Sequence, residues 1–210
     1  MAVSSCIQRR TINSGKLKGI EPVISTILII GILAAAAGAA YQWGMPIMQK
    51  NVDKTSLYSS ENFINELDKK IDGVAKNGGS DELVFSAPGM IKVMPQEDRI
   101  EFTLETEGSI YAPGGFVCLS RDCDLNAGIW GEDEYSARGV EVAQTNDRYA
   151  VTKYSLIMRN LTKDGNIYMR DIITLANATI TSGQGSRIII TKAGETRGDI
   201  KRTLIKIDLV

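Results

Sequence analysis

An uncharged apolar stretch of 18 residues, Val23–Ala40, constrains the fold of this chain more than any other feature. Eight of its residues are large aliphatics, six are alanine and two are glycine. As a helix rising about 1.5 Å per residue it would extend about 27 Å, close to the roughly 30 Å of a bilayer hydrocarbon core. Tyr41 and Trp43 follow directly, where amphipathic rings favour the membrane interface. The stretch therefore predicts a membrane-inserting helix.

Charge is distributed unevenly along the chain. Residues 1–19 carry four basic side chains and no acid, whereas the remaining residues carry 20 basic and 25 acidic ones. A basic segment ahead of an apolar helix predicts that the N-terminus stays in the cytoplasm and the acidic body is exported. The net charge of −1 offers no basic surface, so we expect no nucleic-acid partner.

Histidine is absent from the chain, which removes the commonest general base and metal ligand. The acidic group Glu132-Asp133-Glu134 lacks the spaced ligands of a calcium loop and favours a solvated acidic loop. The turn Gly183-Gln184-Gly185-Ser186 lacks the lysine of a phosphate-binding loop. We therefore expect no enzymatic activity, no cofactor and no bound metal.

The junction ahead of the apolar stretch decides between three kinds of membrane segment. A general secretory signal would be cut after the apolar run, where Ala34–Ala40 imitates a cleavage site. A permanent single-pass anchor would keep the helix in the bilayer, with the basic leader still attached. The third kind is indicated by the residues of the junction itself, Lys16-Leu17-Lys18-Gly19-Ile20-Glu21-Pro22-Val23-Ile24.

This junction resembles the class III signal peptide of archaeal type IV pilin precursors and archaellins. The resemblance implies that a membrane aspartic peptidase, the prepilin peptidase, cuts between Gly19 and Ile20 and leaves the apolar helix on the mature protein. Glycine before the cut lets the chain enter a protease cleft without side-chain clash. Pro22 would then lie at the start of the helix, where its missing N–H costs nothing.

The resemblance also implies a function and partners. An assembly ATPase and a membrane platform would move the membrane-inserted precursor into an extracellular surface filament made of identical subunits. Such a filament serves adhesion or surface attachment or, for an archaellin, motility. The rival class of function is a single-pass anchored β domain that binds the envelope or scaffolds a secretion or rotary machine.

Small residues in the apolar helix would give neighbouring helices a low-relief surface for close approach. The residues predicted to pack in a filament core are Ile27, Ile30, Gly31, Ala34, Ala35 and Gly38.

The helical pattern continues beyond the membrane-inserting part. Pro46, near Gly44, predicts a kink or brief break. Leu57, Ile64 and Ile71 then recur every seven residues, and Leu67 and Val74 fill the complementary positions. This stripe is expected to pack on the chain's own downstream domain, and the turn signal at residues 77–80 ends it. The predicted organisation is a leader, 1–19, and a long helix, 20–78, whose membrane-inserting and filament-core part is 20–43.

After Gly79 the apolar residues alternate with period two, as in strands. Asp164-Gly165 between two such runs predicts a hairpin. The fold class is α+β: a long N-terminal hydrophobic helix followed by an antiparallel, sandwich-like extracellular head, 79–210. The predicted strands are Glu82–Phe85, Met90–Val93, Arg99–Glu105, Ala150–Met158, Asn166–Leu175, Arg187–Thr191 and Leu204–Val210.

Two further signals depend on export. Cys118 and Cys123 flank a four-residue loop, and an exported location permits a disulfide between them, with free thiols as the alternative. Asn160 and Asn177 both begin the Asn-X-Thr acceptor pattern for N-glycosylation. The plainer interpretation is that they are ordinary asparagines in turns at strand ends.

Overall fold

The computed structural model describes residues 21–121, 124–144 and 149–210 of the chain. Its first element is helix α1, Glu21–Asn77, of 57 residues. Gly78 and Gly79 follow in the left-handed region, with φ of 75° and 85°. The amide of Gly78 donates to the carbonyl of Val74 at 2.9 Å. Glycine thus ends the helix at the predicted turn, because it adopts positive φ without steric cost.

Pro46 lies inside α1, and the helix is continuous across it. The brief break offered as one outcome at this position does not form. Proline removes one backbone donor and crowds the preceding turn, but the flanking turns keep their hydrogen bonds. Close to this point the chain divides into two compact units, one ending at Ile47 and the other covering Met48–Val210. The second half of α1 therefore belongs to the same unit as the strands.

Twelve strands are present in the part of the chain that the structure describes. Their bounds are β1 Ser80–Val84, β2 Met90–Met94, β3 Arg99–Thr106, β4 Phe116–Cys118, β5 Ala127–Ile129, β6 Ser136–Gln144, β7 Ala150–Met158, β8 Asn160–Lys163, β9 Asn166–Ile173, β10 Ile180–Gly183, β11 Arg187–Thr196 and β12 Ile200–Leu209. They form two six-stranded sheets, with orders β1-β11-β12-β9-β8-β5 and β10-β2-β3-β7-β6-β4. The predicted α+β class, a long apolar helix followed by a sandwich-like head, is confirmed.

Strand direction departs from the prediction in two places. Most neighbours are antiparallel, but β12 pairs with β9 and β5 pairs with β8 in parallel. Alternation along a strand identifies which face is buried and carries no information on the direction of its neighbour. The head is therefore mostly antiparallel, with two parallel pairs between its strands.

The hairpin predicted at Asp164-Gly165 is confirmed. Lys163 of β8 faces Asn166 of β9, so the connection has two residues. Asp164 and Gly165 have φ of 50° and 78°, the pair of positive values that a type I′ turn requires. This turn fixes the register in which β8 and β9 pair.

The core of the second unit joins the helix to both sheets. The predicted heptad stripe is buried, with Leu57, Ile64 and Ile71 at most 1% exposed. It shares one apolar cluster with residues such as Phe102 of β3 and Ile205 of β12. The stripe therefore packs on the chain's own downstream domain, as predicted.

Replacing Leu67 with alanine is expected to destabilise the head by about 2–5 kcal/mol, because the side chain is fully buried and its loss leaves a cavity. The matched control is Ile32→Ala, where the side chain is 67% exposed. Urea unfolding of the full-length chain in detergent, followed by far-ultraviolet circular dichroism of the β signal, measures both. Equal effects of the two substitutions would contradict the division of α1 into a packed half and an exposed half.

Candidate functional site

The apolar segment Val23–Ala40 is the candidate functional site. None of this segment is buried, and within the described residues α1 is the one helix long and apolar enough to cross a membrane. Its eight large aliphatic side chains are between 51% and 67% exposed, and Trp43 is 80% exposed. Burial of apolar surface is worth roughly 25 cal/mol per Å², so this surface strongly favours transfer out of water.

The predicted packing residues lie on one side of this segment. At about 100° per residue, all six fall within an arc of about 140°. A Cβ atom added to Gly31 or Gly38 would meet nothing within 4 Å, so neither glycine is required by packing inside the chain. Glycine in a helix is less favourable than alanine by about 1 kcal/mol, and packing within one chain does not explain the two glycines. Close approach of another helix supplies an explanation.

Two stretches of the same helix thus differ in what covers them. Around Ile64, α1 is covered by the strands of its own unit, and its apolar side chains are in the core. Around Ile30, no described side chain covers it. The second stretch can leave water only by contacting lipid or another protein chain.

The predicted cleavage site lies at the border of this segment. Gly19 and Ile20 are outside the described residues, so the cleavage remains a prediction. The helix begins at Glu21, and Pro22 is in its first turn. A proline at this position is compatible with the helix, since the first-turn amides have no intrahelical acceptor.

The remaining predicted sites lie in the head. Cys118 ends β4, but Cys123 is outside the described residues, so their disulfide remains a prediction. Asn160 begins β8, and Asn177 lies in the loop between β9 and β10. Both asparagines are exposed, and their modification remains a prediction.

A charged cavity of about 540 Å³ is a second candidate, which the sequence analysis missed. It is lined by Asp68 and Asp72 of α1, by Glu134 and Arg138, and by Arg170 of β9, among others. Arg138 forms ion pairs with Asp68, at 3.3 Å, and with Glu134. Arg170 is 2.8 Å from Asp72. Each of these charges is paired within the cavity wall, which suits a role in fastening α1 to both sheets.

Protonation of Asp68 and protonation of Asp72 are expected to have opposite effects on the unfolding free energy of the head. Burial raises the pKa of Asp68, and the hydrogen bond from Ser136 and the charge of Arg138 offset it only in part. Burial pushes the pKa of Asp72 upward as well, but the hydrogen bonds and charges of Lys76 and Arg170 outweigh it. The pKa of Asp72 therefore lies below its usual value.

The sign of each effect on stability follows from linkage. A carboxyl with a lowered folded pKa stabilises above its unfolded pKa, and this contribution is lost as the pH falls through the folded value. A carboxyl with a raised folded pKa adds stability as the pH falls from that value to the unfolded one. Between neutral pH and about pH 3, Asp72→Asn should therefore flatten the acid loss of unfolding free energy, and Asp68→Asn should steepen it. Urea titrations at several pH values measure this, and a change of the same sign in both variants would overturn the assignment.

The acidic loop is predicted to be solvated, and Glu132 and Glu134 are exposed. Asp133 accepts a hydrogen bond from the amide of Ile129 at 2.7 Å, and Glu134 pairs with Arg138. Beside the loop, Trp130 stacks on Tyr168 with ring centroids 4.9 Å apart. The amino group of Lys163 lies 4.9 Å from the centroid of the Trp130 ring, and that of Lys201 lies 4.7 Å from the centroid of the Tyr168 ring. These acids and aromatics hold the loop against sheet residues, so most of them are structural.

No protein-family model, no curated protein and no solved structure matches this chain at a significant level. Its function therefore has to be argued from the exposed helix segment and the head.

Proposed function

We propose that this chain is the structural subunit of an extracellular helical filament of the type IV pilus kind. The single observation behind the proposal is that Val23–Ala40 is wholly uncovered, while a later stretch of the same helix is covered by its own head. The segment first lies in the membrane as part of a precursor. It then packs against the same segment of neighbouring copies, in the core of the filament.

The energetics of that transfer favour a surface with small residues. Lipid tails are as apolar as leucine, so burial of apolar area alone does not drive helices together inside a bilayer. Van der Waals packing does, and it requires close approach. Gly31, Ala35 and Gly38 provide a low surface, while Ile27 and Ile30 provide the neighbouring ridges. Contacts that repeat from copy to copy without closing into a ring produce a helical filament.

The charge pattern supports the orientation of the precursor. The four basic residues of the leader favour the cytoplasmic side of the membrane. Removal of residues 1–19 by the prepilin peptidase would take away those charges and free the helix for extraction by the assembly ATPase and its membrane platform. The β-rich head would then coat the filament and set its surface chemistry, for adhesion or surface attachment.

Two measurements on the native protein test the proposal. Intact mass spectrometry should show an N-terminus at Ile20, and negative-stain microscopy of sheared surface material should show filaments that bind an antibody raised against the head. An N-terminus at Met1 or Ala2, with no labelled filaments under any growth condition, would overturn the proposal.

The second candidate function is a permanently anchored β domain that binds the envelope or scaffolds a machine. The same uncovered segment favours it, since a lone span would also be covered by lipid. It predicts an intact leader and a chain confined to membrane fractions. An archaellin used in motility shares the cleavage and the filament, and differs in that loss of the chain would abolish swimming.

A further inference from the structure

We infer that the folded head selects Asn177, and not Asn160, as an attachment site for an N-linked oligosaccharide. The inference rests on the proposed function in one respect: the head must be exported before the transferase that attaches the oligosaccharide can reach it. Both asparagines carry the required threonine two residues later, so the sequence pattern does not distinguish them. The fold does.

The Asn160 acceptor triplet is held inside a sheet. Residues 160–162 belong to β8, which pairs with β5 on one side and β9 on the other. Leu161 at its centre is 1% exposed, and the carbonyl of Thr162 accepts a hydrogen bond from the amide of Trp130 at 3.1 Å. A transferase that must wrap its cleft around this triplet would have to pull β8 out of the sheet. That would break backbone hydrogen bonds and uncover a core side chain.

The Asn177 acceptor triplet lies outside the sheets. Residues 177–179 are all exposed and lie at the end of the loop between β9 and β10. Asn177 has φ of 50°, a left-handed value that turns the chain at this position. A hydrogen bond within the loop holds its two ends together: the hydroxyl of Thr174 donates to the carbonyl of Ala178 at 2.7 Å. An enzyme can therefore reach the triplet without disturbing a strand.

The surface around Asn177 also suits a bulky hydrated group. Leu175, two residues before it, is 86% exposed. Residues 172–186 contain no charged side chain, so the polar groups of this loop are hydroxyls and amides only. An oligosaccharide on Asn177 would cover this apolar tip and replace it with a hydrated surface.

The chemistry is a group transfer from a polyprenyl phosphate or diphosphate lipid that carries the oligosaccharide. The side-chain amide nitrogen of Asn177 forms a bond to the anomeric carbon of the first sugar. The bond between that carbon and the phosphate oxygen breaks, and the lipid phosphate leaves with the electron pair. One amide proton passes to a base of the transferase. The hydroxyl of Thr179 completes the acceptor pattern.

Trypsin separates the two sites, which makes the test direct. Cleavage after Arg159 and Lys163 isolates Asn160, and cleavage after Arg170 and Arg187 isolates Asn177. Peptides from the full-length protein of the producing cells should carry a glycan mass on 171–187 and none on 160–163. Thr179→Ala should abolish the modification while leaving Asn177 in place, and Thr179→Ser should restore it. Asn160→Gln is the control and should leave the glycan unchanged.

Three results would overturn the inference: an unmodified 171–187 peptide, a glycan on Asn160 alone, or full modification of both sites. The last would mean that acceptors are chosen before the head folds. The N-terminal peptide in the same digest separates this failure from that of the proposed function. A chain that starts at Ile20 with an unmodified Asn177 would contradict only the glycosylation inference. A chain that starts at Met1 with a glycan on Asn177 would contradict only the proposed filament function.

Discussion

Replacing Gly19 with phenylalanine is expected to abolish processing and, with it, all filaments. A large side chain immediately before the cut would displace the scissile bond in the peptidase cleft, and a misplacement of about 1 Å costs roughly 100-fold in rate. The precursor would keep its four basic leader residues and remain in the membrane. The head should still fold, since its core lies wholly within Met48–Val210.

The leader supplies a matched control for this experiment. Gly15→Phe makes the same chemical change four residues upstream, away from the proposed cut, and should leave both processing and filaments intact. Immunoblots of membrane fractions would resolve precursor from mature chain. A Gly19→Phe chain that still yields an Ile20 terminus and filaments would show that the cleavage site is misassigned.

Replacing Gly31 with leucine should have the second large effect, a loss of filaments with normal membrane insertion. Leucine raises both the hydropathy and the helix propensity of this position, the latter by about 1 kcal/mol. The helix of a single copy should therefore become more stable and insert into the membrane at least as well. No atom of the chain lies within 4 Å of the new Cβ, so the fold of a single copy is not disturbed. In a filament the added bulk would separate neighbouring helices, at about 1–3 kcal/mol per contact and so about tenfold or more in yield.

Ala40→Leu is the control for this substitution. Ala40 lies on the same apolar helix about 180° around its axis from Gly31, away from the small-residue side. It should reduce the filament yield, measured by shearing and quantitative immunoblot, much less than Gly31→Leu. Equal filament yields from the parent and both variants would show that the side of the helix carrying Gly31 does not pack closely between copies.

The sequence carries enough periodicity to predict the helix and its two environments. The seven-residue repeat of Leu57, Ile64 and Ile71 marks a buried side because burial in a helix recurs with the helical turn. The segment Val23–Ala40 contains no polar residue other than Ser25 and Thr26, so its surface is predicted to be apolar on all sides. Local turn chemistry was equally informative, since Asp164-Gly165 permits few conformations other than the observed hairpin turn.

Strand partners could not be predicted in the same way. The long strand β6, Ser136–Gln144, was missed because Arg138, Gly139 and Glu141 obscure its apolar alternation. Arg138 is nonetheless buried, and its charge is compensated by Asp68 from the helix. A partner 70 residues away leaves no local mark in the sequence.

The helix side of the charged cavity is visible in the sequence. Asp68 and Asp72 are four residues apart on α1 and thus lie on the same side, next to the apolar stripe. Acids at such a border have to be paired if the stripe is buried. The identity of their partners, Arg138 and Arg170, depends on sheet order, including the parallel pairing of β12 with β9.

The most direct test of the central claim asks what the apolar segment contacts. A diazirine amino acid placed at Ile30, which is 60% exposed and belongs to the predicted packing side, would cross-link to its nearest neighbour when sheared filaments are irradiated. We predict covalent dimers and higher multimers of this chain, with cross-links that map within residues 20–43. The same group at Leu57, which is 1% exposed, should cross-link only within its own chain. Adducts of Ile30 with lipid alone, on a chain that still carries residues 1–19, would contradict the account.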